Sequence, residues 1–174
     1  SFSRRQRQMC IRDSFTYSEK FSIAMPKVKV DTKASKKDRT AAKARMVKAH
    51  QAGVAALEKA LGTALDSAMK SNWPWRDGQR DIVETGALMR SRKIKTQYLQ
   101  TKAVIGIQYT SPYAALMYYG GMIQPYGNRN AASVLIPARP WIEAILQGTY
   151  GMQKFEIAKP YDAAFKNAWK AGAK

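Results

Sequence analysis

The chain has 174 residues, with 30 lysines and arginines against 12 acids, a formal net charge of +18 and a pI near 10.2. That length suits one compact domain with a single core and some appended chain, and the charge makes a polyanion the natural partner. One cysteine, Cys10, and one histidine, His50, exclude an intrachain disulfide and a thiolate metal cage and remove most zinc sites, Ser-His-Asp triads and Cys-His dyads.

Any catalysis would have to rest on carboxylates or lysines, and no cofactor or metal is expected. No apolar run approaches the roughly 20 residues that span a bilayer, so no membrane partner is expected either.

Residues 1–34 read as a disordered or non-native arm. The chain opens Ser1-Phe2-Ser3 and continues through Arg4, Arg5, Arg7 and Arg12, a peptide resembling translated sequencing-adapter read-through. On that reading Met25-Pro26-Lys27-Val28 is the natural start. A basic disordered arm is the competing interpretation.

Residues 35–174 read as a single α+β domain. Ser35 with Asp38 three residues later approximates a capping box, and Ala, Lys, Arg, Leu and Met then carry a helix to about Lys70. Val47, Val54, Leu57, Leu61, Leu65 and Ala68 recur at steps of 7, 3, 4, 4 and 3, on one face. His50 shares that face, which makes it a packed core residue. N-terminal to Met46 the same meridian is basic, so the first two or three turns should project. Gly53 and Gly62 predict close packing or a local bend.

Trp73-Pro74-Trp75 and Asp77-Gly78 break the helix. From Arg90 to Tyr98 the sequence alternates, with Ile94, Thr96 and Tyr98 opposite Lys93, Lys95 and Gln97. Ala103, Ile105, Ile107 and Tyr109 then alternate against Val104, Gly106 and Gln108. The pair predicts a hairpin with one solvated face, joined through Leu99 to Lys102.

A short helix follows Ser111-Pro112 and ends near Tyr119, with Gly120-Gly121 as a left-handed cap. Gln124 to Asn130 reads as an exposed loop. Val134 to Ile136 is predicted as a third strand, and Pro140 to about Gln147 as a helix. A last helix starts at Pro160, with Phe165 and Trp169 on its inner side. The expected architecture is a small antiparallel sheet with helices on one face and a long N-terminal helix reaching beyond it.

Three segments carry more than local structure: Thr85-Gly86-Ala87-Leu88-Met89-Arg90, then Tyr113-Ala114-Ala115-Leu116-Met117-Tyr118-Tyr119-Gly120-Gly121, then Val134-Leu135-Ile136-Pro137-Ala138-Arg139-Pro140-Trp141-Ile142. In this order they resemble the tailed-bacteriophage neck and tail-completion proteins, also called gp10-like, virion-morphogenesis or head–tail joining proteins. Pro-Ala-Arg-Pro is the most specific part. The resemblance covers roughly residues 81 to 146. Where relatives commonly place an acid at the end of the Tyr-Ala helix, this chain has Tyr118-Tyr119.

The resemblance implies a virion protein, present in the host cytoplasm during assembly, that forms a homo-oligomeric ring, commonly of six subunits. The ring would join the head connector to neighbouring neck and tail-tube proteins, without catalysis. Thr85, Gly86, Leu88, Tyr113, Ala114, Gly120, Pro137, Arg139, Pro140 and Trp141 are its motif residues. Held between two prolines, Arg139 is expected in a structural ion pair or an intersubunit contact. Tyr126, Asn128 and Arg129 would lie in an interface loop.

Beside it stands a physical signal from the charge. Residues 33–48 hold seven cations, Lys33, Lys36, Lys37, Arg39, Lys43, Arg45 and Lys48, against Asp38 alone. A projecting helix of this kind suits phosphate contacts, which makes a small nucleic-acid-binding protein the alternative function. It equally suits a merely solvated helix, or one that meets an acidic neighbour.

Asp77, Asp81 and Glu84 could hold a magnesium or act as an acid/base pair, but no phosphate loop accompanies them and helix capping is the simpler role. Trp73, Trp75, Tyr118, Tyr119 and Tyr126 could stack bases, although core or interface packing suits them better.

Overall fold

The computed structural model describes residues 17–27, 33–71, 73, 86–123 and 132–172. Its backbone is the helix α1 (Lys36–Met69). Ser35 caps it: its hydroxyl accepts the Asp38 N–H at 3.2 Å and donates to the Asp38 carboxylate at 2.6 Å, which satisfies one of the first-turn donors. At the far end the Trp73 indole N–H donates to the Ala68 carbonyl at 2.7 Å. Trp73 thereby closes the helix and plugs one end of the core, where it is only 8% exposed.

Three strands cover one side of α1. They are β1 (Tyr17–Ala24), β2 (Arg92–Tyr98) and β3 (Lys102–Tyr109), antiparallel in the order β1-β3-β2. Ala103, Ile105, Ile107 and Tyr109 are fully buried, so the predicted alternation of β3 is borne out. The inner face of β2 runs along α1 in rungs. Arg92 pairs with Asp66, Ile94 lies over Gly62, Thr96 donates to Glu58, and Tyr98 meets the edge of His50. Two residues of strand advance about 6.8 Å and four of helix about 6 Å, so the first three rungs stay in step, while Tyr98 reaches a full two helix steps beyond Glu58 to His50.

Several expectations need correction. Residues 17–24 are not a disordered arm: all eight pair with β3, from Tyr17↔Tyr109 to Ala24↔Lys102. Phe21 and Ile23 pack on the core, and the Met25 N–H donates to the Thr101 carbonyl at 2.7 Å. The pairing crosses the boundary drawn at Met25 because β3, apolar on its inner face, needs a partner on each edge.

Val134–Ile136 does not join this sheet. It is β5 of a separate two-stranded ribbon, paired with β4 (Gly121–Ile123), a strand hidden in sequence by its glycine and by Gly120 just before it. Val47 is 42% exposed. It shares the buried meridian of α1, but the sheet has ended at Tyr98, opposite His50. The last helix starts at Ala158, two residues before Pro160, because first-turn N–H groups need no helical acceptor.

The remaining helices are α2 (Ala87–Arg90), α3 (Ala114–Tyr119), α4 (Trp141–Gln147) and α5 (Ala158–Ala171). The α+β class is as expected. Helix α5 lies along α1, and at Gly53 the two approach closely. A Cβ there would stand 2.8 Å from the Tyr161 ring and 3.1 Å from its carbonyl oxygen. At Gly62 the nearest atom would be the Arg92 guanidinium at 3.4 Å. Opposite outcomes are expected in urea unfolding: Gly62→Ala raises stability by up to about 1 kcal/mol through helix propensity, whereas Gly53→Ala lowers it by about 1–3 kcal/mol through overpacking.

Candidate assembly and polyanion surfaces

The Tyr-Ala and Pro-Ala-Arg-Pro segments meet at Trp141. Its ring lies edge-on to Tyr118 at 4.9 Å and to Tyr109 at 5.3 Å between centroids, with interplanar angles of 89° and 77°. Burial pushes the Tyr109 hydroxyl up to about 12, so it stays neutral. The Tyr118 hydroxyl accepts the Glu143 N–H at 3.2 Å, which ties α3 to the first turn of α4. Between Pro137 and Pro140 the chain is held by its backbone: the Arg139 N–H donates to the Tyr118 carbonyl at 3.0 Å, and the Ala144 N–H to the Pro140 carbonyl at 2.8 Å.

Gly120 joins α3 to β4 with φ 72° and ψ 179°. This is a region essentially reserved for glycine and not the helical left-handed cap expected from the sequence. A Cβ at Gly120 would sit 2.7 Å from both the Ala138 nitrogen and the Ile136 oxygen, so the corner excludes any side chain there. The Thr-Gly-Ala-Leu segment contributes Leu88 to the same core, and Gly86 starts α2 at φ 66°. Thr85 lies outside the described residues, as do Asp77, Asp81, Glu84, Trp75 and the loop residues Tyr126, Asn128 and Arg129.

Arg139 is fully buried within the single chain, with Nη1 3.6 Å from the Met117 sulfur. The expectation of an intersubunit contact is therefore corrected: burial within the single chain removes the guanidinium from the surface. Tyr113 and Ala114 separate in the same way. Ala114 is buried in the core, while Tyr113 is 67% exposed.

What reaches solvent is the ribbon. Met122 and Leu135 face each other across β4 and β5 and are 60% and 56% exposed, and Tyr119 just before the ribbon is 67% exposed. Tyr118 and Tyr119 are adjacent in sequence, yet one is core and the other surface. That division follows from the helix turn and could not be read from composition.

The basic end of α1 is exposed at Lys36, Lys37, Arg39, Lys43 and Lys48. Arg45 differs. Its Nε donates to the Trp169 carbonyl at 2.6 Å, and its guanidinium stacks over the Trp169 ring at 4.1 Å. This cation–π contact uses Arg45 to hold the end of α5 against α1, so the structure places it in packing. His50 is buried as expected, with Nδ1 2.7 Å from the Tyr161 hydroxyl. Burial lowers its pKa and pushes Tyr161 up to about 12, so the pair meets as neutral groups. Among the described residues no helix is long and apolar enough to cross a membrane.

No family model, curated protein or solved structure matches the chain.

Proposed function

We propose that the chain is a structural subunit of a tailed-phage neck or tail-completion ring, joining the head connector to the tail by binding alone. The observation that carries this reading is the interdependence of the three resemblance segments. Leu88, Ala114, Tyr118 and Trp141 share one core, and Gly120 is required by the Ile136–Ala138 backbone. Segments that look like unconnected motifs in sequence thus share one core, and the corner formed by the second and third of them presents the ribbon.

A closed ring needs two different patches that meet head to tail. The outward face of the ribbon offers Met122, Leu135 and Tyr119, residue types enriched at subunit interfaces. The partners on this reading are further copies of the chain, six to a ring, and adjacent neck and tail-tube proteins. Assembly would take place in the host cytoplasm and the product would reside in the virion.

Light scattering after size-exclusion chromatography of the full chain, at low and high salt, tests the proposal. A discrete oligomer near six subunits is expected in both buffers. Met122→Lys with Leu135→Lys is expected to reduce it to monomer with unchanged circular dichroism. A wild-type monomer at every concentration and salt would count against self-assembly.

The exposed lysines at the start of α1 favour a second reading, a small nucleic-acid-binding protein. It predicts a monomer or dimer that co-elutes with DNA at low salt and releases it at high salt.

A further inference from the structure

The outer face of the three-stranded sheet, turned away from α1, is rich in lysine. The register places Lys20, Gly106 and Lys95 in one row across β1, β3 and β2. Gln108 and Lys93 form the row on one side, Ser22, Val104 and Gln97 the row on the other, and Lys102 lies beyond them. Lys20, Lys93, Lys95 and Lys102 are all exposed. Among the described residues none of the four has an acidic partner, and no carboxylate lies on this face.

Gly106 is the second, independent observation. It sits mid-way along the central strand, where glycine weakens a sheet and where its presence often marks the close approach of another backbone or ligand. Among the described residues nothing requires it. A Cβ at Gly106 would meet only the Lys95 carbonyl at 3.6 Å and the Glu19 carbonyl at 4.0 Å, which are ordinary contacts. The missing side chain leaves a shallow bare strip between Lys20 and Lys95, two strand spacings or about 10 Å apart.

We infer that this face is a binding surface for the sugar–phosphate backbone of duplex DNA, with the lysines contacting phosphates on either side of the strip over Gly106. The composition selects this partner over an acidic protein. Protein interfaces are depleted in lysine and anchored by aromatics, Met and Arg, whereas the described residues of this face are mostly lysine, glutamine and serine, with Val104 among them, as polar and strongly positive DNA interfaces are. The absence of an aromatic ring among them removes the stacking platform that single strands use. The contacts would position the duplex without reading its sequence. The inference concerns the single chain and does not depend on ring formation.

Fluorescence anisotropy of a labelled random duplex of about 20 base pairs, titrated with the full chain over a range of salt concentrations, tests this. Each phosphate contact contributes about 0.9 to the slope of log K against log salt. The combined K20Q/K93Q/K95Q/K102Q variant is expected to lose about 2–4 units of slope on that scale and at least tenfold in affinity at low salt. Gly106→Leu, which fills the strip and leaves the charge unchanged, is expected to weaken binding severalfold while circular dichroism stays native. A helix variant, K36Q/K37Q/K43Q, should retain the part of the slope that the sheet supplies. The inference is overturned if the wild type binds no duplex, if the sheet variants bind like wild type, or if they lose affinity only for anionic phospholipid vesicles.

Discussion

Truncating Trp141 to alanine is expected to lower unfolding stability by about 3–5 kcal/mol, the range for deleting a large buried aromatic. Trp141 is fully buried and is the shared neighbour of Tyr109 from the sheet and Tyr118 from α3. Its removal therefore opens a cavity where three elements meet and forfeits two edge-to-face contacts. Against a typical total of about 5–15 kcal/mol, a loss of this size leaves a partly unfolded population. Urea denaturation of wild type, Trp141→Phe and Trp141→Ala checks it. Phenylalanine keeps an aromatic ring in the site and should lie between the other two. If the alanine variant unfolds at the wild-type midpoint, Trp141 is not the keystone of the corner.

Replacing Gly120 with alanine is expected to cost about 3 kcal/mol or more, from two sources. The backbone at φ 72° and ψ 179° is itself unfavourable by about 1–3 kcal/mol for a residue with a Cβ. The added methyl would then overlap the Ala138 nitrogen and Ile136 oxygen at 2.7 Å, backbone atoms that a side-chain rotation cannot move. Relief requires the ribbon to shift away from α3, so the proposed assembly should be lost together with stability.

Gly151→Ala is the matched control. Its φ is also positive, at 73°, but no atom lies within 4 Å of the added Cβ, and about 1–2 kcal/mol is expected from the left-handed backbone alone. Equal losses at the two glycines would mean that the corner yields freely and that Gly120 is there for its backbone angles only.

These two experiments also separate the corner's structural part from its proposed part in assembly. A variant that remains folded but monomeric, such as the Met122 and Leu135 pair, addresses the surface. Trp141 and Gly120 address the scaffold that presents it.

Much of this architecture is written locally. The Ser35–Asp38 cap, the apolar steps from Val54 to Ala68 and the strict alternation of Ala103, Ile105, Ile107 and Tyr109 each follow from backbone periodicity, and helix, hairpin and buried face came out where periodicity put them. The packed roles of His50 and Trp73 were also legible, because a lone polar or aromatic residue on an apolar face has few other uses. The sheet's lysine face was half legible, as Lys93 and Lys95 opposite Ile94 and Thr96.

Pairing between distant segments was not legible. That Tyr17–Ala24 supplies the third strand, bringing Lys20 beside Gly106, depends on which free edge of β3 is filled, and edge choice is a long-range decision. The split of Val134–Ile136 into its own ribbon, the withdrawal of Arg139 into the core and the capture of Arg45 by Trp169 have the same origin. Each is fixed by a contact between residues far apart in the chain, whose free energy exists only once both sides are in place. The sequence alone determined the α+β class, the long helix with its basic projecting end and the hairpin. Tertiary structure decided which basic and apolar residues remain on the surface, because exposure depends on what packs against a residue and periodicity can state only which residues share a face.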